Sequence, residues 1–276
     1  MVSAMNLLPA QTLSGDNRIH VSKAERLLTA LPTGSVDLVL TSPPYDNLRK
    51  YKGFSWNFEY IAQQSYRVLK QGGVLVWVVA DATIDGSETF TSFRQALYFR
   101  DVVGFNAHDT MIYEAAGTGA KGSNYAYWQA FEYMFVFSKG RPKTVNRIAD
   151  VKNKTTDLIR SGRWRENGKR ERPHATKEWG IRTNIWRYNV GFMDHSDKTG
   201  HPAPYPEALA NDHIISWTNE GDTVLDFFMG SGTTAKIATL NNRRFIGCDI
   251  SAEYVTIARE RVRKAQSEAR QLELIA

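Results

Sequence analysis

Val224-Leu225-Asp226-Phe227-Phe228-Met229-Gly230-Ser231-Gly232-Thr233-Thr234 is the stretch that decides the fold. An apolar run reaches an acid, turns through two glycines and opens a helix at Thr233. The run predicts a buried strand over Thr223–Asp226. The glycines let the backbone approach a ligand closely, and the helix start offers unpaired N–H groups. Two phosphate-binding patterns are excluded. Gly230 and Gly232 alone do not make G-x-G-x-x-G, and a Gly-Lys-Ser/Thr ending is missing. What remains is strand, acid, Gly-x-Gly, helix, which fits either a nucleoside cofactor or a tight turn with no ligand.

Working outward, Phe245–Cys248 predicts the next strand, with Asp249 at its end. In a doubly wound sheet a carboxylate there lies beside the glycine turn and accepts from both hydroxyls of a ribose. The alternative is a helix N-cap, for which Ser251 competes. Val255, Ala258 and Val262 mark one face of a last helix, and Ala210, Ile214 and Trp217 mark a helix before the turn. Nearer the start, Ser22 and Glu25 form a capping box ahead of Ala24, Leu27, Leu28 and Leu31. A strand over Val36–Thr41 stops at Pro43-Pro44. Phe58, Ile61, Ala62, Ser65 and Leu69 share a helical face that Gly72-Gly73 is expected to end. Val74–Ala80 reads as a strand buried on both faces, followed by a helix around Phe93, Ala96 and Leu97 and strands near Met111–Tyr113 and Tyr133–Ser138. Alternating strands and helices predict an α/β fold, a mostly parallel sheet with helices on both sides.

At 276 residues and 31.2 kDa the chain suits one large α/β domain or two small ones. One cysteine, Cys248, excludes an internal disulfide framework. With no apolar run long enough for a bilayer and no signal-like start, a cytoplasmic protein with no membrane contact is expected. Charge is uneven. Residues 139–200 hold 16 Lys/Arg against 7 Asp/Glu, a local +9 within a chain of +6, so the rest is net acidic. This segment is also broken by Gly and Pro and set with Trp164, Trp179, Trp186, Tyr188 and Phe192. It reads as an insertion off the sheet, either a polyanion-binding region or a solvated basic loop.

The third motif is Thr41-Ser42-Pro43-Pro44-Tyr45. Two prolines fix the backbone and leave carbonyls without neighbouring amide donors. A hydroxyl, a carbonyl and an aromatic ring in sequence suit a planar substrate carrying an amino group.

With these three motifs in hand, the chain resembles the S-adenosylmethionine-dependent DNA amino-methyltransferases. Ser42–Tyr45 is similar to their catalytic (D/N/S)-P-P-Y group, Asp226–Thr234 to their cofactor turn, and Asp249 to the acid that follows. Gly15-Asp16 resembles the motif whose Asp contacts the cofactor adenine. His201-Pro202-Ala203-Pro204-Tyr205-Pro206 resembles the segment that closes over the cofactor. Phe227 departs from the family, standing where Pro is usual. The catalytic motif precedes the cofactor motif, with the basic segment between, an order that resembles the circularly permuted β class.

The resemblance implies a Rossmann-like, doubly wound, seven-stranded sheet. Residues 1–138 would form its catalytic half, 139–200 a target-recognition insertion and 201–276 its cofactor half. It implies Ser42, Pro43, Pro44 and Tyr45 as catalytic residues. Asp16, Ala203, Tyr205, Asp226, Phe227, Gly230, Ser231, Gly232, Thr233 and Asp249 would serve the cofactor. Arg163, Arg165, Lys169, Arg170, Arg172 and Arg182 would contact double-stranded DNA. A homodimer follows from family habit, and residues 46–56 form a candidate lid. No metal spacing is visible among the six histidines. The implied reaction moves the methyl group of S-adenosylmethionine to the exocyclic amine of a flipped base. Ser42 leans toward cytosine N4. The segments Asp46–Arg49 and Asp81–Ile84 resemble prophage-type enzymes described as adenine-specific, and the balance tips to adenine N6. An RNA or protein-glutamine methyltransferase, or a DNA-binding regulator without catalysis, are the remaining alternatives.

Overall fold

The computed structural model describes residues 18–44, 55–116, 127–156, 159–160, 166–169, 174–189 and 206–275. In chain order they form β1 (Arg18–Val21), α1 (Ala24–Ala30), β2 (Val36–Thr41), α2 (Phe58–Val68), β3 (Leu69–Val79), the hairpin β4 (Thr83–Ile84) and β5 (Ser87–Glu88), and α3 (Thr91–Leu97). A π-helical turn, Tyr98–Val103, extends α3 toward β6 (Asn106–Ala116) and β7 (Phe131–Ser138). After the two-residue strands β8 (Val151–Lys152), β9 (Ile159–Arg160), β10 (His174–Ala175) and β11 (Trp179–Gly180) come β12 (Ile185–Asn189), α4 (Glu207–Trp217), β13 (Thr223–Asp226), α5 (Thr233–Leu240), β14 (Arg244–Asp249) and α6 (Ala252–Ile275). Contacts divide the chain into a main unit, Met1–Val145 with Asn184–Ala276, and a small unit, Asn146–Thr183.

The main unit carries an eight-stranded sheet in the order β1-β14-β13-β2-β3-β7-β6-β12. Every neighbouring pair is parallel except those of β7, which runs against both β3 and β6. The eighth strand corrects the expectation of seven. β12 lies inside the stretch 139–200 that the sequence reads as off the sheet. Yet Trp186 and Tyr188 are buried while Ile185 and Arg187 are exposed, the alternation of a strand with one covered face. Tyr188 Oη donates to Asp212 Oδ2 at 2.7 Å, which fastens β12 to α4.

Successive residues of the central strands point to opposite faces. Val39, Leu75, Trp77, Phe135, Phe137 and Leu225 meet Leu27, Leu28, Ile61 and Phe99 of α1, α2 and the π turn. On the other face His213 of α4 touches Met134 of β7, with α5 packed between α4 and α6. Burying each Leu, Ile or Phe of this core contributes about 1.5–3 kcal/mol.

Two local expectations fail for physical reasons. The capping box does not form, because the Ser22 N–H is taken by the Asp249 carbonyl at 3.0 Å. Glu25 instead accepts from the Asn57 N–H at 2.9 Å, and Lys23 stands at the N-cap. Gly72-Gly73 does not end α2, which stops at Val68. The pair lies inside β3, where the register with β2 shifts. There Gly72 adopts φ +79°, and a Cβ would meet the Lys143 Cβ at 2.8 Å. The carbonyls near the end of α1 are capped by Arg67, through Leu28 O at 2.6 Å and Leu31 O at 2.9 Å.

The small unit, described by itself, pairs β8 with β11 and β9 with β10, both antiparallel. Arg182 forms an ion pair with Asp150, whose carboxyl it holds below the usual range, and the Arg182 N–H donates to Ile148 O at 3.0 Å. Among the described residues no helix is long and apolar enough to cross a membrane.

Candidate active site

β13 lies between β14 and β2, and β2 continues the sheet the other way into β3. Chain connections leave this point in both directions, which makes it the topological switch point where open α/β sheets bind ligands. Register pairs Val224 with Leu38 and Leu225 with Val39. The two strands therefore end side by side, and Ser42–Pro44 and Phe227–Gly232 leave from the same edge.

One carboxylate joins these segments. Asp226 is buried and accepts from Thr41 Oγ1 at 2.8 Å, from the Phe228 N–H at 3.1 Å and from Thr234 Oγ1 at 2.6 Å. Its side chain is thus turned into the protein, tying the end of β2 to both ends of the glycine turn. The ring of Phe227 is also buried, 6.5 Å from Trp77 and 5.2 Å from Phe228. Of that residue, the backbone is the part at the turn.

The turn is shaped from below. Gly232 adopts φ +82°, and a Cβ there would lie 2.6 Å from the Ala258 Cβ on α6. The Met229 N–H donates to Cys248 O at 3.1 Å, and the Cys248 thiol, pushed well up by burial, donates to Phe227 O at 3.4 Å. Asp249 accepts the Gly230 N–H at 3.0 Å on Oδ2 and the Ser251 N–H at 2.8 Å on Oδ1. Burial raises its pKa, and these backbone bonds oppose the rise. Ser251 Oγ accepts from the Tyr254 N–H at 3.4 Å, so the capping position belongs to Ser251. Each Asp249 oxygen is thus held by a backbone donor.

The structure thus brings together Ser42, Pro43, Pro44, Asp226, Phe227, Gly230, Ser231, Gly232, Thr233 and Asp249 at one edge of the sheet. Tyr45, Asp16, Ala203 and Tyr205 lie outside the described residues, as do residues 46–54 of the candidate lid. Arg163, Arg165, Arg170 and Arg172 lie outside them too. Lys169 is exposed in the small unit, whereas Arg182 is engaged with Asp150. Sequence reasoning missed Glu207, Lys236 and Arg261, which meet beneath Ser231. They are scattered over α4, α5 and α6, and no spacing rule links them.

A glycine turn and ribose-type acid at a switch point, beside a Pro-Pro corner, define a group-transfer enzyme built around a nucleoside cofactor. The sequence profile of the N6_N4_Mtase family, described as DNA methylase, matches residues 36–260. The chain belongs to this family and is a DNA methyltransferase of the N6-adenine/N4-cytosine type. It is 56% identical over 238 residues to the orphan methyltransferase M.BamHII of Bacillus amyloliquefaciens, covering 83% of this chain and 89% of that one. Two solved structures share the fold. PvuII DNA methyltransferase (cytosine-N4-specific) superposes with a TM-score of 0.68 at 18% identity, covering 93% of this chain and 92% of that one. M1.HpyAVI, solved as a complex with SAM, gives 0.58 at 23% identity, covering 89% and 98%.

Proposed function

We propose that this enzyme transfers the methyl group of S-adenosylmethionine to the exocyclic amine of a base flipped out of duplex DNA, adenine N6 ahead of cytosine N4. The observation that carries the reading is the Thr41–Asp226 hydrogen bond of 2.8 Å, which seats the Ser-Pro-Pro corner against the glycine turn. The donor set fits the cofactor: glycines allow close approach, and Asp249 offers acceptors to a ribose diol. When bound, the cofactor supplies an electrophilic methyl group on a sulfonium. Ser42 Oγ and the Pro43 carbonyl accept from the target NH2 and direct the nitrogen lone pair toward that methyl group. Tyr45 stacks on the base. The new N–C bond forms as the S–C bond breaks, and the amine proton leaves to solvent. Catalysis is then mainly positioning and charge stabilisation.

The basic segment supports a DNA-reading role for residues 139–200, in the cytoplasm where bacterial DNA lies. A homodimer is supported by Ile84, Phe90, Leu97 and Val102, each more than half exposed between β4 and the π turn. Light scattering of the purified protein tests it. The preference for adenine rests on the Asp46–Arg49 and Asp81–Ile84 resemblance. Digesting methylated DNA to nucleosides and weighing them should give N6-methyl-2′-deoxyadenosine, and N4-methyl-2′-deoxycytidine as main product would reverse the assignment. Ser42→Ala and Tyr45→Ala should lose most turnover while keeping cofactor affinity, and full activity in Tyr45→Ala would reduce the corner to a structural turn.

A further inference from the structure

We propose that Arg261 is a positioning residue for the cofactor turn, holding Ser231–Thr233 in its binding shape, and that Glu207 ties this grip to the start of α4. The proposal rests on the S-adenosylmethionine reading above. α6 presents one face to the turn, because Ala258 and Arg261 are three residues apart on a helix. Ala258 lies against Gly232 and fixes how closely the turn can approach. Arg261 supplies the polar part. Its Nη1 donates to Ser231 O at 2.9 Å and lies 3.3 Å from both Ser231 Oγ and Thr233 Oγ1. Its Nη2 donates to Glu207 Oε1 at 2.6 Å. The same carboxylate accepts from Lys236 Nζ at 2.9 and 3.1 Å.

The geometry uses what only a guanidinium offers, a planar fork with a carbonyl on one arm and a carboxylate on the other. Both cations are buried, their side chains 4% and 9% exposed, and they share one carboxylate. Buried ion clusters are weak stabilisers compared with apolar packing, so stability alone is a poor reason for this arrangement. Removing Arg261 takes one of the two cations from Glu207 and leaves the Lys236–Glu207 ion pair in place. What disappears is the set of donors to the turn. If the released turn spends about a tenth of its time in the binding shape, apparent cofactor affinity falls about tenfold.

The test compares full-length Arg261→Met, Arg261→Lys and Asp249→Ala with wild type by steady-state kinetics, varying S-adenosylmethionine and DNA separately. Arg261→Met should raise the KM for S-adenosylmethionine about tenfold or more, with kcat at saturating cofactor within about threefold and the KM for DNA unchanged. Arg261→Lys should fall between, since a single ammonium replaces the fork. An unchanged S-adenosylmethionine KM in Arg261→Met, with a raised one in Asp249→Ala, overturns the proposal and leaves the cofactor reading standing. Parallel loss in kcat and both KM values also overturns it, because that describes a generally loosened fold. If neither variant alters the S-adenosylmethionine KM, the cofactor reading itself fails. Should Arg261→Met not be recovered folded, an unchanged S-adenosylmethionine KM in Arg261→Lys decides against the proposal.

Discussion

His213 shows how much a single buried side chain dictates. The Trp217 indole N–H donates to its Nδ1 at 3.1 Å, which places the ring proton on Nε2, 3.1 Å from the Met134 sulfur. The imidazole also lies 4.7 Å from the Trp186 ring and is fully buried, and desolvation pushes its pKa down to about 3. The unfolded chain binds a proton near pH 6.5 that the folded chain refuses, so stability is retained above about 6.5 and lost as pH falls toward about 3. Urea unfolding at pH 7 and pH 5 should show wild type losing about 2 kcal/mol more than His213→Gln over that interval. An equal loss in both would mean His213 titrates normally. Asp249 makes a second case. Asp249→Ala should weaken S-adenosylmethionine binding by about 1–3 kcal/mol through loss of charged-acceptor hydrogen bonds, and unchanged affinity by calorimetry in the folded variant would remove it from the site.

The strand-turn-helix element built by β13 and α5 is the most demanding in the molecule. Gly232→Ala places a Cβ against Ala258 at 2.6 Å in a left-handed conformation. The two penalties together should lower stability by about 2–4 kcal/mol, read as a shifted urea midpoint. A midpoint equal to wild type would mean that α6 gives way easily. This element was also the most legible in the sequence. β2, β13 and the start of α5 fall on the expected residues because apolar runs bounded by Pro or Gly leave little choice. Legibility ended where distant partners decide the outcome. Asp226 looks like a cofactor ligand from its place in the motif, but Thr41, distant in sequence, turns its carboxylate inward. Ser22 and Glu25 look like a capping box until the Asp249 carbonyl claims the Ser22 N–H that Glu25 would accept. β1 and β12 went unforeseen: only one of the four residues of β1 is buried, and β12 alternates inside a segment whose basic charge, Gly and Pro read as off the sheet. The trio of Glu207, Lys236 and Arg261 is a property of helix packing and has no local signature.

At the scale of the whole molecule, the small unit separates in sequence from the sheet that carries the site. Deleting Asn153–Arg172 retains β8, β11 and the Asp150–Arg182 pair. S-adenosylmethionine binding should therefore persist while sequence-specific methylation is lost. Methylation-aware sequencing that still finds one motif would show that another segment reads the DNA. The order of strands in space also differs from their order of synthesis. Among the described residues β1 is bonded in the sheet only to β14, and β13 enters between β14 and β2. On a ribosome adding ~5–20 residues per second, roughly 10–45 s pass between the emergence of β1 and that of its neighbour. During that interval the nascent chain already holds β2, β3, β6 and β7, with the flank of β2 open where β13 belongs. An open flank of a strand buried along its whole length invites pairing with another chain. Newly made copies crowded on one messenger therefore run their greatest risk of aggregation before the cofactor turn has been translated.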